Sequence, residues 1–119
     1  MGETRFAQAL ESQAFGVLQP DIAKWGGISG CWPVIRMIGA QGTRFCPHYL
    51  GAGIGLMASA HVLAAAGGDG MLEVDANDNL LRSLLAPPFA QVTDGGITLD
   101  ELPGIGVTPD LAELKSACA

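Results

Sequence analysis

Ala14-Phe15-Gly16-Val17-Leu18-Gln19-Pro20-Asp21 reads as a short strand that ends on a carboxylate. Its apolar residues run together without strict alternation, the pattern of a strand covered on both faces. Upstream, Arg5 to Gln13 has helical spacing, with Phe6, Ala9 and Leu10 on one face. Downstream, Trp25-Gly26-Gly27 breaks the chain. Ser29 is then placed to cap a helix continuing through Cys31 to Ala40, with Pro33 close to its first turn. Arg44-Phe45-Cys46-Pro47-His48-Tyr49 forms a second strand, again polar at its carboxyl end. Gly51-Ala52-Gly53 leads into a helix over Ile54–Ala66, Gly67-Gly68-Asp69-Gly70 ends it, and Met71-Leu72-Glu73-Val74-Asp75 reads as a third strand. Strand, helix, strand, helix, strand predicts an α/β architecture with parallel strands over residues 1–76. From Asn77 to residue 119 regularity fades into a tail punctuated by Pro87-Pro88, Asp94-Gly95-Gly96 and Pro103-Gly104. A short final helix closes it, capped by Thr108 with Pro109 at its first position.

Composition narrows the function classes. The chain has 119 residues, 49% hydrophobic and only 15% charged, against a usual ~25% charged, so it is not a disordered tail. Twelve acidic and six basic side chains give a net charge of −6, the opposite of the basic stripe that nucleic acid requires. Cys31, Cys46 and Cys118 form no Cys-x-x-Cys pair and are odd in number, which favours a reducing cytoplasm over a disulfide scaffold. No Asp, Glu, Lys or Arg occurs from Phe45 to Gly68. The most apolar part, Ile54–Ala66, falls short of the ~20 residues of a membrane span and suits a buried helix. Met1-Gly2-Glu3-Thr4-Arg5 lacks the apolar core of a signal peptide. No membrane partner is expected.

The chemistry concentrates at the strand ends. Asp21, His48 and Glu73 each lie at or near the carboxyl end of a successive strand, the edge where parallel α/β folds bind ligands. A carboxylate beside an imidazole fixes its tautomer and favours its charged form, which makes a general acid/base. Each residue also has a plainer reading. Asp21 serves as a turn former, His48 as a satisfied core histidine, and Glu73 as an ion-pair partner of Lys24 or Arg82. Only the three together favour a site. His61, on the apolar helix, reads as structural, and Lys24 either touches the site or pairs at a strand end. Gly51-x-Gly53-x-Gly55 follows a strand and opens a helix, which leaves open a small phosphate- or nucleotide-binding module. The dinucleotide fingerprint, however, needs its third glycine where Leu56 stands.

Gln19-Pro20-Asp21-Ile22-Ala23-Lys24-Trp25-Gly26-Gly27, Pro47-His48-Tyr49-Leu50 and Leu72-Glu73-Val74-Asp75 together resemble the last third of enolase-superfamily enzymes. The mandelate racemase/muconate lactonizing enzyme-like branch is the best match. Asp94-Gly95-Gly96-Ile97 and Leu102-Pro103-Gly104-Ile105-Gly106-Val107 resemble that family's ending, and the spacing of Asp21 and His48 agrees with its dyad. The resemblance covers Phe6 to Leu114. It implies the C-terminal part, about three βα units, of a TIM-like (β/α)7β barrel with an irregular tail, and an N-terminal capping domain absent from this chain. A full barrel needs ~250 residues, so the chain reads as a C-terminal fragment, from a truncated reading frame or proteolysis.

The resemblance further implies abstraction of the proton α to a carboxylate of a hydroxy acid or sugar acid, with a Mg²⁺-stabilised enediolate, leading to racemisation, epimerisation or dehydration. It puts His48 in the acid/base role, Asp21 as its orienting partner, and Glu73 as a hydrogen-bonding electrophile. Lys24, Tyr49 and Gly51 are weaker substrate-binding candidates. The Mg²⁺ ligands would lie outside this chain, Glu3 being read as the start of the first helix. The expected partners are a small carboxylate substrate and either further copies of the chain or the missing N-terminal portion. The competing expectation is a catalytically silent chain that self-associates through its open sheet edge.

Overall fold

A computed structural model describes residues 2–90 and 92–117; Cys118 lies outside them. Helix α1 (Glu3–Glu11) leads to strand β1 (Val17–Leu18), helix α2 (Gly27–Ala40), strand β2 (Arg44–Phe45) and helix α3 (Gly53–Ala66). Helix α4 (Leu80–Leu85), a 3₁₀ turn (Pro87–Ala90) and helix α5 (Leu111–Ala117) come after it. β1 and β2 pair in parallel, Val17 opposite Arg44 and Leu18 opposite Phe45.

The strands are shorter than the sequence suggests, and proline is the reason. The ladder runs Arg44 N–H to Gly16 O at 3.1 Å and Cys46 N–H to Leu18 O at 3.1 Å. The next donor in this register would be Pro20, which has no N–H. Pro47 ends β2 in the same way on its other edge. The expected third strand, Met71–Asp75, forms no ladder: the Met71 N–H goes to the Cys46 sulfur at 3.3 Å. It still runs beside β2, since a Cβ on Gly70 would strike the Phe45 carbonyl. The expectation that β1 is buried on both faces also fails. Phe15, just before β1, is 54% and Val17 40% exposed, while Leu18 is buried.

Helix α2 starts before Ser29. Gly26, in the left-handed region at φ 88°, turns the chain directly into the helix. Pro33 consequently lies inside α2 rather than in its first turn. In the tail, Asp110 rather than Thr108 caps α5, its Oδ1 accepting from the Ala112 and Glu113 amides at 2.8 and 3.0 Å.

Two clusters of buried side chains form, and α3 belongs to both. The first joins Leu10, Leu18, Ile22, Cys31, Val34, Ile35, Ile38 and Phe45 with Val62 of α3. Phe6 packs edge-on against Trp25 at its rim, ring centroids 5.2 Å apart. The second joins Leu56, Met57 and Ala60 of α3 with Ala86 and Phe89, covered by Ile97, Leu99, Ile105 and Val107 of the tail. A helix without a charged residue and with two packed faces is a buried helix, which accounts for the uncharged stretch around it. Among the described residues, no helix is long and apolar enough to cross a membrane.

Candidate active site

Asp21 follows Pro20 just beyond β1 and is 4% exposed. Its carboxylate finds partners locally. Oδ1 accepts from the Ala23 amide at 2.8 Å, and Oδ2 lies 3.0 Å from Lys24 Nζ. The Lys24 side chain is itself 67% exposed, so the pair joins a buried carboxylate to a solvated ammonium. Burial pushes the neighbouring Cys31 thiol above its usual range, and the negative charge of Asp21 adds to the shift.

His48 follows Pro47 beyond β2. Its Nδ1 lies 2.5 Å from Glu73 Oε2. Both side chains are about one-third exposed, at 32% and 36%. Met71, anchored on Cys46, carries Glu73 past the end of β2 to this position. A loop brace then fixes the chain beyond Glu73. Asp75 turns back on Asn77, whose backbone N–H chiefly holds the Asp75 carboxyl below its ordinary range. Arg82 Nη1 donates to the Asp75 and Asn77 carbonyls at 2.8 and 3.1 Å.

The structure therefore brings all three residues to one edge but pairs them differently from the sequence reading. That reading joined Asp21 to His48. Here Asp21 is held by Ala23 and Lys24, residues two and three positions away, while His48 binds Glu73. The plainer reading of Glu73 fails as well, since Lys24 goes to Asp21 and Arg82 to two carbonyls. His61 is structural: its Nε2 lies 3.1 Å from the Ile105 carbonyl and ties the tail to α3.

The glycine turn before α3 serves packing. A Cβ on Gly51 would stand 2.5 Å from the Tyr49 hydroxyl, and one on Gly55 would overlap the same ring. A Cβ on Gly53 would meet Ala86 Cβ at 2.6 Å and Ala86 N at 2.7 Å. The three glycines seat Tyr49 and α4, so their spacing gives no support to a phosphate cradle. Sequence reading missed α4, whose signal is Asn79: its Oδ1 accepts from the Arg82 amide at 3.1 Å, three residues on. Asn79 Nδ2 also reaches the Gly51 carbonyl at 3.5 Å. An apolar hollow of about 400 Å³ lies between α3 and the tail, lined by Leu63, Met71, Leu72, Phe89 and Val92 among others. None of Asp21, His48 and Glu73 lines it.

The donor set does not suit a resident metal. Among the described residues, no group of three or more His, Cys, Asp or Glu is placed to hold an ion. Asp21 is engaged by Lys24, Glu73 by His48, and Glu3 stands exposed in the first turn of α1.

A buried carboxylate, an imidazole and a second carboxylate at the carboxyl ends of adjoining parallel segments form the pattern for which the resemblance stood. The family model described as enolase C-terminal domain-like matches residues 2–114. The chain belongs to that family. Its strand–helix units are accordingly part of a TIM-like barrel. A solved mandelate racemase/muconate lactonizing enzyme from Bordetella bronchiseptica RB50 is 61% identical, with a TM-score of 0.88, over 95% of this chain and 32% of that one. An arabinonate dehydratase of Saccharolobus solfataricus is 29% identical over 87% of this chain and 27% of its own length. A D-galactarolactone cycloisomerase of Agrobacterium fabrum is 28% identical over 84% of this chain and 29% of its own. This enolase-like chain thus spans about a third of the length of the proteins it resembles.

Proposed function

We propose that this chain carries the acid/base part of an active site that removes the proton α to a carboxylate of a hydroxy acid or sugar acid. The observation that carries this is the imidazole of His48 at the strand-end edge, its Nδ1 held by a carboxylate at 2.5 Å. Nε2 has no hydrogen-bond partner among the described residues and is the nitrogen that takes the proton. A general base so held contributes roughly 10²–10⁴ in rate. The α-carbon gives its proton to Nε2, and the electron pair moves into the carboxylate carbon–oxygen system. Returning the proton to that carbon gives racemisation or epimerisation. Delivering it to a β-hydroxyl breaks the C–O bond, forms a C=C bond and releases water, which is dehydration. Lys24, Tyr49 and Gly51 are proposed substrate contacts. The names of the relatives, a dehydratase of a sugar acid and a cycloisomerase of a sugar-acid lactone, support the substrate class. The remaining barrel strands, the cap and the ligands of any Mg²⁺ would come from outside this chain.

The test is deuterium uptake from D₂O at the α-carbon of hydroxy acids and sugar acids, in an assembly that contains this chain within the whole barrel. His48→Asn is expected to cut exchange by at least about 10²-fold, and undiminished exchange overturns the proposal. A second reading, a silent self-associating chain, draws on the open edge of β1 and the exposed Phe15 and Val17 beside it. It takes over if the assembly exchanges no substrate proton while the isolated chain sediments as an oligomer.

A further inference from the structure

We propose that the fold singles out Asp94 as a modification site, where the chain isomerises at Asp94-Gly95 to an isoaspartyl linkage. In an Asp-Gly pair the backbone nitrogen readily attacks the preceding side chain, because glycine puts no Cβ in its way. The pair occurs twice, at Asp69-Gly70 and at Asp94-Gly95, and the structure treats the two differently. Asp94 and Gly95 are the central residues of a tight turn, closed by Gly96 N–H to the Thr93 carbonyl at 2.9 Å and Thr93 N–H to the Gly96 carbonyl at 3.0 Å. Both lie in the left-handed region, at φ 51° and 75°, as two-residue hairpin turns require. The bridge uses the amides of residues 93 and 96, so the Gly95 N–H stays outside it. Both residues are exposed, and a Cβ on Gly95 would meet nothing within 4 Å, which leaves room for a ring. Among the described residues, no donor or cation holds the Asp94 carboxylate.

Asp69-Gly70 is held on both sides. The Asp69 carboxylate binds the Arg44 guanidinium, whose hydrogen bond keeps it below its ordinary range, and ring closure needs the protonated acid. Gly70 is packed against β2, where a Cβ would strike the Phe45 carbonyl. At Asp94 the step is a condensation followed by a hydrolysis. The Gly95 nitrogen attacks Cγ of the protonated carboxyl, and the new N–Cγ bond closes a succinimide. The amide proton and the carboxyl hydroxyl leave together as one water. Water then adds back to either ring carbonyl. Breaking N–Cγ restores aspartate. Breaking the bond from that nitrogen to the Asp94 backbone carbonyl carbon leaves the chain running through Cγ, with a free α-carboxylate. Nothing is oxidised or reduced, and the mass is unchanged. The isoaspartyl form puts Cβ into the main chain just ahead of Ile97, which covers the Leu56 and Phe89 cluster.

The test is peptide mapping of the whole chain aged at neutral pH and body temperature. Aspartyl and isoaspartyl peptides of equal mass separate by chromatography and fragment differently. In the native chain isoaspartate should accumulate at position 94 several-fold over position 69. In urea, where the fold constrains neither pair, the two positions should convert alike. Equal conversion in the native chain, conversion at neither position, or a preference that persists unchanged in urea overturns the assignment. Asp94→Asn suits the same turn and expels ammonia in place of water, so isoaspartate at position 94 should form several-fold faster. No acceleration would show that the turn holds the ring-forming atoms apart, and the site would fall. Asp94→Glu needs a larger ring and should leave position 94 unmodified, whereas an isomerised residue there would overturn the ring-closure step.

Discussion

The two sides of α3 are built differently. On one side, α1, β1, α2 and β2 meet Val62 through regular elements, and Cys31 and Ile38 are wholly buried. On the other, Leu56, Met57 and Ala60 are covered by α4, Phe89 and tail residues that form no strand. That tail is shaped by turns and single tethers: the Thr93–Gly96 bridge around Asp94 and Gly95, and the bond from His61 to the Ile105 carbonyl. The candidate site joins the two. Asp21 and His48 issue from the ladder of the first region, and Glu73 comes from the stretch that leads into the second. A contact whose two residues lie on different regions depends on how firmly the second is seated on the first.

The largest effect is expected from the first region. Ile38 is fully buried at the centre of its cluster, so Ile38→Ala leaves a cavity among packed side chains. Urea unfolding should show a loss of about 2–5 kcal/mol. That is a large share of the ~5–15 kcal/mol available to a domain. A loss well under 1 kcal/mol would mean that this cluster does not anchor the molecule, and the contrast between the regions would fail.

Gly53→Ala probes the seam. The added Cβ would stand 2.5 Å from the Arg82 carbonyl and 2.7 Å from Ala86 N, which are backbone atoms that cannot swing aside. The expected cost is about 1–3 kcal/mol. Hydrogen exchange should place it in α4 and the tail, leaving the β1 and β2 amides protected. Equal acceleration in both regions would show that they open as one unit.

How far the sequence discloses this arrangement depends on the same division. Leu18, Phe45 and the helix at Ile54–Ala66 were legible because period and apolarity report burial directly. The strand ends were legible because Pro20-Asp21 and Pro47-His48 put a ladder-stopping residue next to a polar one. What could not be read was which carboxylate meets His48. That depends on Lys24 lying within reach of Asp21 and on Met71 docking on a cysteine sulfur, neither of which has a periodic signature. The third strand was misread for a related reason. Met71–Asp75 has strand composition, but its ladder needs a donor where Pro47 has none. Helix α4 is one and a half turns long, too short for periodicity, and only its Asn79 cap marks it.

The smallest effect belongs to the ion pair at the opposite end of β2 from the site. Arg44 opens β2, and its guanidinium binds the Asp69 carboxylate in the loop after α3. The hydrogen bond from Arg44 chiefly holds the Asp69 carboxyl below its ordinary range, and the arginine's charge lowers it further. A depressed carboxylate contributes stability that is present above its unfolded pKa, ~3.9, and is lost as pH falls through the folded value. Both groups face solvent, so the contribution is small and salt screens it. Asp69→Asn should therefore lower the urea midpoint slightly at neutral pH. The two midpoints should converge below the folded pKa of Asp69, and the gap should shrink in high salt. A gap that widens toward acid would mean that Asp69 is strained rather than helped by Arg44, and that β2 is tied to α3 by packing alone.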